Sequence, residues 1–174
     1  NITTDMNSAG SWINPTSNIG ITSIDTELTP EEFVQKVGPI AQLATKDKDL
    51  FASVMIAQTI LETGYGKSYL SDEAFNNYFG IKGSYNGESV AVHTSEYTAD
   101  GKKYRVIAPF RKYNSIEESF NDYVSFLTGK DNPDSFGYRH YYGARKSVAR
   151  TYENAAKYLS GRYATSPIYG EKLI

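Results

Sequence analysis

Cysteine is absent from all 174 residues, which removes disulfides, thiolate nucleophiles and zinc ribbons together. Histidine is nearly as scarce. His93 and His140 stand far apart with no ligand-spaced neighbour, so neither a metal site nor any other cofactor is expected. Blocks of one charge sign are missing too. Eighteen Lys and Arg are interspersed with twenty Asp and Glu, leaving a net charge of −2 and no basic stripe for nucleic acid. No apolar run reaches the roughly 20 residues of a membrane span, and no charged-then-apolar leader opens the chain. Membrane insertion is therefore not expected. Opening on Asn1 and stopping at Ile174 within an expected helix, the sequence reads as a mature or excised piece of something longer.

What is abundant is tyrosine, fifteen against a single tryptophan. Its apolar face and polar tip suit a cleft that stacks on sugar rings and bonds their hydroxyls, although most tyrosines serve core and surface. The length fits one domain with a sizeable core. The stretch that organises it is Leu50 to Gly66, whose apolar side chains point in nearly every direction at 100° per residue. That pattern describes a helix buried on most sides. Gly64 and Gly66 end it, with Gly64 able to take the left-handed closing conformation. Glu62 then falls in the last turn, within about 40° of Phe51, Met55 and Gln58 on the wheel. Desolvation and the negative end of the helix dipole both disfavour its ionised form and raise its pKa, which is how a general acid is made. The nearest lysine, Lys67, lies beyond the glycine break.

Residues 1–24, rich in Asn, Ser, Thr, Gly and Ile, read as an extended lead-in or linker, and 25–174 as the folded domain. Thr29-Pro30-Glu31-Glu32 carries a capping box and proline at the first helical position. The helix it opens buries Phe33, Val37, Ile40, Ala41 and Ala44, and Gly38-Pro39 should kink or divide it. A polar turn, Lys46 to Asp49, precedes the core helix. After it come a polar loop or short helix over 67–74 and a glycine-rich aromatic loop, Asn76 to Gly83, where Asn77 can hold either the backbone or a ligand. From Ser89 the period becomes two, with Val90, Val92, Thr94 and Glu96 facing one way and Ala91, His93, Ser95 and Tyr97 the other. Asp100-Gly101 marks the turn of a hairpin that returns over Lys103 to Phe110. Ser115-Ile116-Glu117-Glu118 opens another helix with Phe120, Val124 and Leu127 inward, and Gly129 closes it. Residues 130–143 read as an aromatic loop and Thr151 to Leu159 as a helix ended by Gly161. Ser166-Pro167 provides the cap and first position of a last helix. The fold class is α+β: a mainly helical lobe around one buried helix, with a small antiparallel β-hairpin lobe.

Five segments in order resemble glycoside hydrolase family 73, the peptidoglycan endo-β-N-acetylglucosaminidases of autolysins. They are Gln58 to Gly66, Asn77-Tyr78-Phe79-Gly80-Ile81-Lys82-Gly83, Thr94-Ser95-Glu96-Tyr97, Phe110-Arg111-Lys112-Tyr113 and Tyr163-Ala164-Thr165-Ser166-Pro167. The likeness runs from about residue 29 to the end. It implies a lysozyme-like fold with a cleft between lobes, and cleavage of the bond after N-acetylglucosamine. The glutamate of its Glu-x-Gly-x-Gly motif is Glu62, already singled out on physical grounds. The resemblance adds Glu96 as second carboxylate and Tyr163 as a residue that lines the site and orients the acetamido group or water. Tyr65, Asn77, Phe79, Tyr113 and Tyr142 are the expected substrate-binding residues. Many relatives have Ser-Gly-Trp-Gly where this chain has Thr63-Gly64-Tyr65-Gly66, and aspartate where Ser166 stands. Serine caps a helix equally well. The expected partner is the peptidoglycan glycan strand. The expected setting is a secreted monomer at a bacterial cell wall, joined to wall-anchoring modules.

Hydrolysis needs a protonated carboxyl at the leaving oxygen and a way to stabilise or capture the oxocarbenium-like centre. Glu96 is the expected base or second carboxylate, with Glu88 and Asp100 on the same lobe as alternatives. Carboxyls roughly 6.5–9.5 Å apart suit inversion, about 5 Å suits a covalent route, and a wider gap suits hairpin movement or help from the substrate acetamido group. Three readings compete with hydrolysis: a lytic transglycosylase, which needs only one glutamate, a wall-binding module that holds glycan without cutting it, and an interaction domain that has lost activity.

Overall fold

The computed structural model describes residues 27–164 and 168–174. The lead-in assigned to residues 1–24 and the cap assigned to Ser166-Pro167 lie outside them. Among the described residues, α1 (Pro30–Thr45) and α2 (Ala52–Thr63) precede a hairpin of β1 (Ser89–Tyr97) and β2 (Lys103–Arg111). Then come α3 (Ile116–Thr128), α4 (Phe136–His140), α5 (Lys146–Ala149), α6 (Tyr152–Leu159) and α7 (Tyr169–Leu173).

Thr29 caps α1 with both arms of the capping box made: its hydroxyl accepts from the Glu32 N–H at 3.2 Å, and the Glu32 carboxylate accepts from the Thr29 N–H at 2.8 Å. The expected break at Gly38-Pro39 does not occur, and α1 runs undivided across Pro39. Pro39 and Gln35 are both exposed, so water can serve the Gln35 carbonyl that a proline at position 39 leaves without a helical donor. Phe33 and Val37 before it, and Ala41 and Ala44 after it, hold both halves to one core.

Within α2 only Ser53 is exposed, so the helix is enclosed on most sides as its apolar pattern predicts. Gly64 closes it in the left-handed region at φ 56° and ψ 52°, its N–H donating to the Ile60 carbonyl at 2.9 Å. The main core gathers α1, α2, α3, α6 and α7 around Phe33, Met55, Phe79, Phe120, Leu159 and Tyr163.

The hairpin pairs Glu96 with Tyr104, Thr94 with Val106 and Val92 with Ala108. Val92, Thr94, Ala108 and Phe110 are buried while His93 and Ile107 are exposed, so the period-two alternation holds. Its turn is tied by Thr98, whose N–H donates to the Lys102 carbonyl and whose carbonyl accepts from Gly101 N–H, both at 2.9 Å, with Gly101 at φ 85°. Lys82 bridges Phe110 and so adds a short third rung on the far edge of β2.

Ser115 caps α3, but the second arm of the box is displaced: the Glu118 carboxylate accepts from Asn114 N–H, one residue ahead of the cap. The stretch expected as an aromatic loop contains α4, capped by Ser135, and 3₁₀ turns on either side. At five residues α4 is too short to show a period. The helix expected over Thr151 to Leu159 forms as α6, with Thr151 as its N-cap and Ser160, one residue before Gly161, as its C-cap. The last helix begins at Tyr169, two residues after Pro167.

Burial keeps several tyrosines protonated. The Tyr78 phenol is pushed up to about 12 by desolvation first and then by Glu73, Asp72 and Glu117, and Tyr141 to about 12 by desolvation. Unfolded tyrosine titrates near 10. Between those values the folded chain retains protons that the unfolded chain releases, so stability falls as pH rises. Chemical-denaturation midpoints are expected to show no loss from these groups below pH 10 and a progressive loss toward about 12.

Candidate active site

Glu62 occupies the penultimate position of α2 and is 5% exposed. Three features of the sequence place it there. The apolar helix buries its own last turn, the glycine at 64 stops the helix two residues later, and threonines on the same turn fasten the end. Thr63 Oγ1 donates to the Thr59 carbonyl at 2.6 Å and accepts from Gly66 N–H at 2.8 Å. Thr59 Oγ1 donates to the Tyr78 carbonyl at 3.0 Å, which ties α2 to the 77–83 loop. The backbone then turns through Gly64, Tyr65 and Gly66, all at positive φ. A Cβ at Gly66 would stand 2.9 Å from the Phe33 ring, so only glycine fits against α1 there.

The surroundings of Glu62 are phenolic. Tyr163 and Tyr169 both feel its charge, after the larger effect of their own burial, and both phenols are raised well above the usual tyrosine value. The Tyr169 hydroxyl accepts from Gln58 Nε2 at 3.0 Å, one helical turn before Glu62. Lys67 pairs instead with Glu27 at 3.5 Å. Sequence reasoning did not single out Tyr169. Its spacing from Pro167 in a five-residue helix carries no periodic signal, and its hydrogen bond with Gln58 spans more than a hundred residues.

Glu96 lies on the inner face of the hairpin and is about one quarter exposed, with Lys82 Nζ 2.6 Å from its Oε1. The two motifs that carry Glu96 and Lys82 are thus joined side chain to side chain.

The remaining expected site residues separate by exposure. Tyr65 and Tyr142 present surface, 36% and 44% exposed. Tyr65 sits edge-on to Phe33 with centroids 6.1 Å apart, and Tyr142 packs beside Tyr138 at 5.4 Å. Asn77, Phe79 and Tyr113 are fully buried. Of the two readings open for Asn77, the backbone one holds: Nδ2 donates to the Ile81 and Arg111 carbonyls at 3.0 and 2.9 Å, and Oδ1 accepts from Ile81 N–H at 3.2 Å. Phe79 packs on Phe120 and Tyr123. The Tyr113 hydroxyl donates to Asp122 at 2.5 Å, beside the Arg111 guanidinium on the same carboxylate at 2.8 Å. Tyr163 is likewise buried and donates its hydroxyl to the Phe79 carbonyl at 2.7 Å. These side chains belong to the packed interior and present no ring surface to solvent. Among the described residues no cluster of His, Cys, Asp and Glu is spaced to hold a metal ion.

This frame is shared with solved structures. The catalytic domain of the autolysin Auto from Listeria monocytogenes is 39% identical, superposes with a TM-score of 0.74, and the match covers 88% of this chain and 84% of that one. The fold is lysozyme-like, and the class of protein is a glycoside hydrolase. The profile of the family described as mannosyl-glycoprotein endo-β-N-acetylglucosaminidase matches residues 38–174, and the chain belongs to this glucosaminidase family. Among curated relatives, an Autolysin of Enterococcus faecalis is 46% identical over 83% of this chain, and a Probable N-acetylmuramidase of Lactococcus lactis is 41% identical over 82%. The chain spans 19% and 32% of their lengths.

Because Asn77 satisfies backbone groups on both sides of the loop, Asn77→Ala is expected to cost about 2–4 kcal/mol of folding stability by leaving them unpaired. Denaturant midpoints read that loss, and KM for glycan should move far less than the midpoint.

Proposed function

We propose that this domain hydrolyses the β-1,4 bond following N-acetylglucosamine in bacterial peptidoglycan, with Glu62 as general acid. The observation that carries the reading is the carboxyl held 5% exposed at the tip of the core helix among neutral phenols. Burial and the helix dipole favour its protonated form, which is the form that can deliver a proton to a leaving glycosidic oxygen. Tyr65 and Tyr142 offer the ring surface that a sugar stacks on, and Tyr163 supports the site from beneath by bracing the Phe79 carbonyl. Glu96 is the second carboxylate. It sits on the inner face of the hairpin, and it activates water once Lys82 shares or releases it.

The substrate class follows from family membership together with the autolysin and muramidase names of relatives. The same membership supports action outside the cell, at the wall, by a monomeric domain within a longer chain carrying wall-anchoring modules. A second reading has one observation in its favour. Glu96 is engaged by Lys82, and a lytic transglycosylase needs a single glutamate, forming an anhydro sugar without water.

Digestion of purified peptidoglycan followed by mass spectrometry separates these outcomes. A new reducing end at N-acetylglucosamine is expected; an anhydro product would establish the transglycosylase, and a reducing end at N-acetylmuramic acid would establish a muramidase. Glu62→Gln is expected to lower the rate by roughly 10²–10⁴-fold while glycan still binds. Undiminished turnover by that variant would remove Glu62 from the mechanism.

A further inference from the structure

Although α4 is only five residues long, contacts on several sides fix it. A Cβ on Gly137 would collide with the Phe126 carbonyl oxygen, so this turn lies directly on the C-terminal part of α3. Ser135 caps it, and the Tyr158 hydroxyl donates to the His140 carbonyl at 3.2 Å. His140 Nε2 donates to the Arg162 carbonyl at 3.2 Å, which ties the end of α4 to the residue before Tyr163. Phe136 is carried outward on this fixed turn and is 69% exposed. One face of its ring stacks on His140, with centroids 4.7 Å apart and planes 20° from parallel. The ring is therefore held in place while most of it meets solvent.

Phe136 and His140 line a surface cavity of about 420 Å³ together with Asp134 and Arg139. That volume falls within the roughly 300–1,000 Å³ of small-molecule sites. The Arg139 guanidinium is set by donating to the Pro133 and Asp134 carbonyls at 3.0 and 2.8 Å, and it stands 3.9 Å from the Asp134 carboxylate. An apolar ring, a donor and an acceptor thus open on one hollow. The Arg139 and Asp134 charges offset each other, so the pair favours neither an anion nor a cation. Such a set fits an uncharged ring that has a C–H face and hydroxyls at its edge.

We propose that this hollow is a second sugar-binding site: Phe136 stacks on a pyranose ring of the glycan strand, Arg139 donates to its oxygens and Asp134 accepts from its hydroxyls. The choice of occupant rests on the glycan substrate proposed above. None of the four residues has a part in the proton transfer, so the site adds hold on the strand and leaves the chemistry as it is. Stacking on a ring already fixed in place costs little ordering on binding.

Titration of the Glu62→Gln chain with the N-acetylglucosamine tetramer, followed by backbone amide NMR, tests the site with a probe that carries no peptide. The Gly137 and Arg139 amides are expected to shift, and Phe136→Ala in the same chain is expected to abolish those shifts. Binding to purified peptidoglycan is read by co-sedimentation. There Phe136→Ala is expected to raise the apparent Kd about three- to tenfold, and Phe136→Trp to restore it. With Glu62 intact, Phe136→Ala should raise KM on peptidoglycan by a similar factor while kcat moves far less. Silent Gly137 and Arg139 amides, or a Kd and KM that Phe136→Ala leaves unmoved, would overturn the inference. A loss confined to peptidoglycan that retains its peptide stems overturns it too, since it puts peptide in the hollow. The acid assignment is read separately. A Glu62→Gln chain that still cuts removes Glu62 from the mechanism, while the Gly137 and Arg139 shifts report the hollow in either case.

Discussion

The last turn of α2 is where the architecture converges, because a carboxyl must be kept there without water around it. An apolar helix alone would bury Glu62 and leave its position loose. The Thr59 and Thr63 hydroxyls remove that freedom by fastening the helix end to the residues ahead and to the loop beside it. Gly64 then lets the chain leave at once, two residues beyond Glu62. Each neighbouring element is fixed relative to this point. The 77–83 loop is bonded to α2 through Tyr78, and its Ile81 carbonyl and Gly83 N–H pair with Arg111 and Pro109 of β2, which brings the hairpin alongside. The hairpin carries Glu96, and Lys82 of the same loop meets it.

Polar groups in this core are used as fasteners rather than ligands. Asn77, Asp122 and Tyr163 each satisfy groups that the fold would otherwise bury unpaired. A buried polar residue left without partners would cost about 1–3 kcal/mol, so these residues are as constrained as the aromatic packing around them. The exposed tyrosines keep ring surface in solvent, Tyr65 edge-on to Phe33 and Tyr142 with the Arg145 guanidinium over its ring at 5.9 Å.

Much of this was legible in the sequence, for identifiable reasons. Period and punctuation are local, so the capped start of α1, the all-round apolar α2, the Gly64 stop and the hairpin turn at Gly101 could be read directly. Glu62 was legible because wheel position and glycine break are both local quantities. Continuity of α1 across Pro39 was not, since it depends on which side faces solvent, a property of tertiary packing. The burial of Phe79 and Tyr113 was hidden for the same reason: an aromatic residue in a glycine-rich loop looks the same whether it faces inward or outward. Tyr169 and its bond to Gln58 join distant parts of the chain, and only the folded molecule sets them side by side.

The measurement that bears most directly on the central claim is the titration of the Glu62 carboxyl carbon, followed by NMR of glutamate-labelled protein and assigned by comparison with Glu62→Gln. The predicted result is a carboxyl that titrates above the ordinary glutamate value of about 4.3, raised by desolvation and by the negative end of the helix. A carboxyl that titrates at or below that value would contradict the claim that this helix end keeps a proton for glycoside cleavage.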